Sequence, residues 1–194
     1  MDRPWTTGYF KEPVAGPVQL TRTGLVGDGQ ADLVNHGGPD KAMLAYAAAH
    51  YQAWRDELNQ SQMPHGSFGE NFTIAGLTEA DVYIGDVYAI GDVKVQVSQP
   101  RQPCWKTARR WRLKELPKRV IETGRSGWYF RVLAEGIVER GMSVELIERP
   151  CPSWSVARAN EVFYRGQEDR DATAELAALP LLSLAWREHL LNRL

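Results

Sequence analysis

Cysteine is nearly missing from this 194-residue sequence, which has only Cys104 and Cys151. Two cysteines do not make a disulfide framework, and with no Cys-x-x-Cys or His-Glu-x-x-His spacing the usual zinc sites are excluded, so both read as thiols. The four histidines, His36, His50, His65 and His189, are scattered. There is no Gly-x-x-x-x-Gly-Lys-Ser/Thr loop, no Gly-x-Gly-x-x-Gly and no Gly-x-Ser-x-Gly elbow. Those absences remove phosphate-loop hydrolases, the common dinucleotide-binding fold and the serine hydrolase arrangement. No charged-then-apolar leader opens the chain, and no apolar run nears the roughly 20 residues that cross a bilayer. The expectation is a soluble, cytoplasmic protein with no membrane association. Net charge is also small, with 23 basic against 24 acidic residues, too weak a field to draw the whole chain onto nucleic acid.

What is present is enough apolar material for a core, 43% of residues. From Val14 to Glu148 the chain reads as short strands punctuated by Gly and Asp. The clearest is 82-VYIGDVYAIGDVKVQVSQ-99, whose alternating apolar residues and repeated Ile-Gly-Asp breaks predict an antiparallel meander. Further strands are expected in 16-GPVQL-20, 71-NFTIAG-76, 128-WYFRVL-133 and 142-MSVELIE-148. The stretch 40-DKAMLAYAAAHYQAWRDEL-58 has apolar residues at helical spacing behind a capping Asp40, which predicts one amphipathic helix. A second helical region, 105-WKTARRWRLKELPKRVIETG-124, is broken at Pro117. After Pro150 and Pro152 three short helical segments follow. The fold class expected is mainly β with α, a barrel-like domain over 1–150 with a packed helix, then a small three-helix domain over 151–194.

The chemistry concentrates in 95-VQVSQPRQPCWKTARRW-111. Cys104 follows the end of a strand, between Pro100, Pro103 and a burst of cations. From Arg101 to Arg119 there are eight Lys or Arg residues and one acid, Glu115. Arg101 and Lys106 would favour the thiolate, the form that acts as nucleophile or metal ligand. Free cysteine is also a frequent small core residue, so packing is the competing reading. The cations read equally as a solvated helix face, and Trp105 and Trp111 among them raise single-stranded nucleic-acid stacking as a third possibility, which the acidic remainder opposes. Two glycine loops could converge on the thiol. In 35-NHGGPDKAML-44, Gly37, Gly38, Lys41 and an expected helix start would form an anion cradle; a tight turn is the alternative. In 66-GSFGENFTIAGL-77, Glu70 and Asn71 pair a carboxylate with an amide.

Taken together, 24-GLVGDGQADLVNHGGPDKAMLAY-46, 68-FGENFTIAGL-77, 84-IGDVYAIGDVKVQVSQPRQPCWK-106 and 124-GRSGWYFRVLAEG-136 resemble the MOSC family, named for the C-terminal part of molybdenum cofactor sulfurases. The tail, 163-FYRGQEDRDATAELAALPLLSLAWREHLL-191, resembles the three-helix domain that follows MOSC in the YiiM-like group. The resemblance implies a molybdenum cofactor of the molybdopterin type, with Cys104 as the metal ligand. It also implies cofactor contacts at Gly37, Gly38, Lys41, Asn71, Arg101, Gln102 and Lys106, with Glu70 or His36 as the proton source. The implied reaction is reduction of N-hydroxylated compounds such as 6-hydroxylaminopurine, a detoxification of modified bases. Electrons would come from a separate flavin or iron–sulfur protein. Pyridoxal phosphate binding belongs to the same family description. A non-catalytic carrier of cofactor or sulfur is the alternative, and a homodimer is expected. The group pattern also places a strand ahead of 9-YFKEPV-14, where this sequence begins only a few residues earlier with 1-MDRPWTTG-8.

Overall fold

A computed structural model describes residues 4–29, 37–166 and 168–194. Nine strands and six α-helices are found among them. A six-stranded sheet, ordered β4-β3-β7-β6-β5-β9, curls into a half-barrel, and a three-stranded sheet, β2-β1-β8, accompanies it. The first strands, β1 (Val18–Thr21) and β2 (Gly24–Leu25), form a tight antiparallel pair. The expected meander is β5 (Val87–Ile90) and β6 (Val93–Pro100), joined through Gly91 and Asp92 with Ile90 opposite Val93. A two-residue turn of this kind needs a positive φ, which Gly91 supplies at 58°. Strand β7 (Trp128–Ala134) pairs with β6 along most of its length, and β8 (Gly136–Val138) and β9 (Glu145–Glu148) complete the sheets.

The helix expected over 40–58 is half strand. A single 3-10 turn, Pro39–Lys41, leads into β3 (Met43–Ala47), and only His50–Leu58 is helical, as α1. All five β3 residues are buried, because β3 lies between β4 (Phe72–Ile74, parallel) and β7 (antiparallel) with both faces covered. A short continuous apolar run fits a doubly covered strand as well as a helix, and periodicity does not separate the two. Asp40 caps no α-helix; its carboxylate meets Arg131 Nε at 2.9 Å.

The cationic region forms α2 (Trp105–Trp111) and α3 (Leu116–Thr123). The break falls at Arg112, whose φ is 54°, while Pro117 lies in the first turn of α3 where its missing N–H costs nothing. The tail forms α4 (Val156–Tyr164), α5 (Arg170–Ala177) and α6 (Leu184–Leu191), each capped by a side-chain oxygen, from Ser155, Asp169 and Ser183.

These three helices share their core with the sheet. Trp154, Val156, Phe163, Leu176 and Trp186 join Val95, Val97, Trp128 and Phe130 in one continuous apolar cluster. The connection is fastened by Asp86, whose fully buried carboxylate accepts Arg149 Nε at 3.0 Å and Nη2 at 2.8 Å, together with Tyr83 N and Tyr88 OH. A smaller cluster of Tyr46, Tyr51, Trp54, Phe68, Leu116 and Val120 packs α1 and α3 on the other side. Trp186 stacks on Phe163 at 4.3 Å between centroids and is 1% exposed. Trp186→Ala is therefore expected to cost about 3–5 kcal/mol. Because the core is shared, urea unfolding followed by tryptophan fluorescence and by far-ultraviolet circular dichroism should still give one coincident transition.

Candidate functional site

Strand β6 ends at Pro100, and the next residues turn inward beneath the N-terminal segment. Here Arg101 is 2% exposed, an uncommon place for a guanidinium. Its backbone N–H bonds Gly127 O at 3.0 Å. Its Nη2 reaches Thr107 Oγ1 at 3.1 Å, Phe68 O at 3.2 Å and Tyr9 OH at 3.4 Å, and Tyr9 OH meets Thr107 Oγ1 at 2.8 Å. Nη1 has no hydrogen-bond partner among the described residues. None of these partners is a carboxylate. Burial works against the charge, yet Tyr9, Cys104 and Tyr129 nearby hold Arg101 above the ordinary guanidinium range. A buried guanidinium with a donor left over is suited to an anion.

The space beside it is a shallow cleft open to solvent. Cys104, Lys106, Lys41 and Lys11 line it with Arg101, and Asp28 is the single acid there among the described residues. Cys104 directly precedes α2 in extended conformation, and its half-buried thiol therefore stands at the wall of the cleft. Gly69 brings the opposite wall close: at φ 80° it accepts no ordinary side chain, and a Cβ there would lie 2.8 Å from the Tyr9 ring.

Of the residues expected at a site, Cys104, Gly37, Lys41, Asn71, Arg101 and Lys106 share this cleft. The cradle differs from expectation, since the residues after Gly37 and Gly38 make one 3-10 turn and contribute no helix dipole. Asn71 has both ends of its amide occupied: Oδ1 accepts Leu44 N at 3.0 Å and Nδ2 donates to Asp28 Oδ2 at 2.7 Å, so it braces the wall. Lys11 pairs with the same Asp28. Gln102 is exposed and lies outside the lining, as does Gly38. His36 lies outside the described residues.

Glu70, expected as a proton source, does not line the cleft. It is 2% exposed and accepts from Tyr51 OH, Gly66 N at 2.7 Å, Phe68 N at 3.1 Å and Thr73 Oγ1 at 3.0 Å. A carboxylate with four donors is committed to holding the 66–73 loop, and Tyr51 is pushed well above the ordinary phenol range by burial and by Glu70.

The solvated cationic face is likewise revised. Lys106 is buried, Arg110 Nη1 binds Gly66 O at 2.8 Å and Tyr9 O at 3.2 Å, and Arg109 lies over Trp5 at 4.8 Å and Trp105 at 5.7 Å. Arg119 pairs with Glu57 at 3.0 Å. These contacts spend the cations on tying the N-terminal segment and α1 to α2 and α3. Tyr9, Lys11, Asp28, Leu44, Phe68 and Tyr129 were not singled out from sequence. They come from five separate stretches, and nothing in local pattern marks them.

Sequence comparison agrees with this arrangement. The MOSC domain profile matches residues 32–145, more than half of the chain, and spans Lys41, Asn71, Arg101 and Cys104. The chain belongs to the MOSC family. The profile described as YiiM-like, 3-alpha helix domain matches residues 154–194, the segment forming α4 to α6. The chain is 45% identical to the Bacillus subtilis (strain 168) protein YflK over 96% of itself and 84% of that protein. It is 37% identical to a Gibberella moniliformis protein named "Reductase", covering 92% of this chain but 32% of that longer one. Among solved structures, YiiM from Geobacillus stearothermophilus superposes with a TM-score of 0.87 at 41% identity, over 97% of this chain and 89% of the other.

The second thiol, Cys151, is half-buried and raised by burial and by Asp86, which disfavours its thiolate. With four cations lining its cleft, Cys104 is expected to react with iodoacetamide faster than Cys151 at pH 7 in cofactor-free protein, measured by peptide mass spectrometry over time.

Proposed function

We propose that the chain is a molybdenum-cofactor-dependent reductase of N-hydroxylated compounds such as 6-hydroxylaminopurine. The observation that carries this reading is that Cys104 and the buried Arg101 line one cleft, where Arg101 Nη1 has no hydrogen-bond partner among the described residues. Family membership and the relative named "Reductase" support redox chemistry.

The residues present fit such a cofactor. A thiolate is a suitable ligand for a metal in sulfur-rich surroundings. The phosphate and other anionic groups of a molybdopterin match a cleft with Lys11, Lys41, Arg101 and Lys106 against one acid. When bound, the cofactor would supply the two-electron redox chemistry, fed by a separate flavin or iron–sulfur protein. Cys104 would hold the metal, with Arg101 and Lys106 keeping its sulfur ionised. Gly37 and Lys41 would meet the anionic groups from the facing wall, and Asn71 would keep Asp28 and Leu44 in position around them. Glu70 would act one layer back, holding Phe68 and Gly69 against the cleft.

The test is to express the wild type and Cys104→Ala in cells that make the cofactor, then measure molybdenum, pterin and reduction of 6-hydroxylaminopurine with a reduced viologen dye. The wild type should carry metal and turn over. Cys104→Ala should lose both by more than the roughly 10–100-fold that removing a supporting residue costs. Equal metal and activity in the two proteins would refute the reading, and metal loading without turnover would assign the carrier role instead.

A further inference from the structure

Among the groups lining the cleft, Tyr129 is set apart by its hydroxyl. The buried hydroxyls of Tyr9, Tyr46, Tyr51 and Tyr88 all have partners: Thr107, Arg125 O, Glu70 and Asp86. Tyr129 makes no side-chain hydrogen bond among the described residues, although its ring lies in the cleft wall with Cys104. A phenol turned toward a ligand space without a partner retains its donor for the ligand.

Its position is set by rigid structure. On β7 the flanking Trp128 and Phe130 enter the apolar core, so Tyr129 projects from the opposite face by strand alternation. It sits opposite Leu44 on β3 and Gln99 on β6, and Leu44 lines the same cleft. Its backbone carbonyl accepts Ser98 Oγ at 3.1 Å. Burial pushes the Tyr129 phenol up to about 12, and Arg101, two residues beyond Gln99, acts in the opposite direction. Other polar groups are committed within the chain: Tyr9 to Thr107 and Arg101, Glu70 to its loop, and Lys11 to Asp28.

Resting on the reductase reading, we infer that the Tyr129 hydroxyl is the acid that protonates the departing oxygen when the N–O bond of the substrate breaks. The balance is R–NHOH plus two electrons and two protons giving R–NH2 and H2O. The electrons originate from the external flavin or iron–sulfur reductase, or from a viologen in the assay. The N–O bond breaks, Tyr129 gives one proton to the oxygen that leaves as water, and solvent supplies the second to nitrogen. The phenolate, beside Arg101, recovers its proton from solvent through the open cleft. Positioned acids of this kind contribute about 10²–10⁴-fold.

The deciding variant is Tyr129→Phe, which keeps the ring. In cofactor-loaded protein its molybdenum and pterin content and thermal midpoint should match the wild type, and KM for 6-hydroxylaminopurine should change by less than about threefold. The kcat should fall about 100-fold. Retained kcat, or loss of molybdenum from the variant, overturns the assignment while leaving the reductase reading standing. A loaded but inactive wild type overturns both. A second readout needs no turnover: in cofactor-free protein carrying [13Cζ]tyrosine, alkylating Cys104 should shift the one signal that Tyr129→Phe lacks. An unmoved signal, with alkylation verified by mass, places the hydroxyl away from the site and overturns the inference.

Discussion

A guanidinium taken wholly out of water requires strong compensation, and around Arg101 that compensation organises the whole site. Thr107 comes from α2, Phe68 from the loop before β4, Tyr9 from the N-terminal segment and Gly127 from the entry to β7. Four stretches distant in sequence are thereby drawn to one point, directly beside the only cysteine on the cleft. Glu70 performs a complementary task behind Phe68, collecting donors that would otherwise be buried without partners. The cleft is consequently shaped by polar groups satisfying one another, and its positive potential is what remains after that satisfaction.

The C-terminal helices belong to the same mechanical unit. Their apolar faces close the core under β5, β6 and β7, and the Asp86–Arg149 pair fastens the crossing between sheet and helices. The sheet carrying Tyr129 and leading into Arg101 is thus covered on the side away from the cleft. A site whose supporting strands are packed on both sides holds its geometry without the ligand, which suits chemistry that depends on orientation.

The different failures of sequence reading share a physical origin. The β5–β6 hairpin was legible because its turn chemistry and alternation are local, and the three terminal helices because their caps are local. The run Met43–Ala47 was not, since a continuous apolar stretch takes strand or helix according to what covers it, and β4 and β7 cover it from both sides. Glu70 was read as a proton source from its residue type, while its place behind the cleft wall is fixed by donors from Tyr51, Gly66 and Thr73. Cations that read as a solvated surface are drawn inward by carbonyls and aromatic faces that no helical pattern reveals.

By itself the sequence determined the family, through ordered motifs spread over most of the chain, and with it the expectation that Cys104, Arg101 and the Gly37 loop meet at one site. It also determined where strands turn and where helices start, because those choices rest on φ, capping and spacing within a few residues. Tertiary structure alone decided that Arg101 is buried with one donor unspent, that Asn71 and Glu70 support the walls, and that Tyr129 offers its hydroxyl to the cleft. Arg101 and Asn71 depend on partners tens of residues away, and Glu70 joins Tyr51 to the loop around itself. Burial and hydrogen-bond satisfaction are properties of the folded neighbourhood, and residue identity leaves them open until the chain has closed around them.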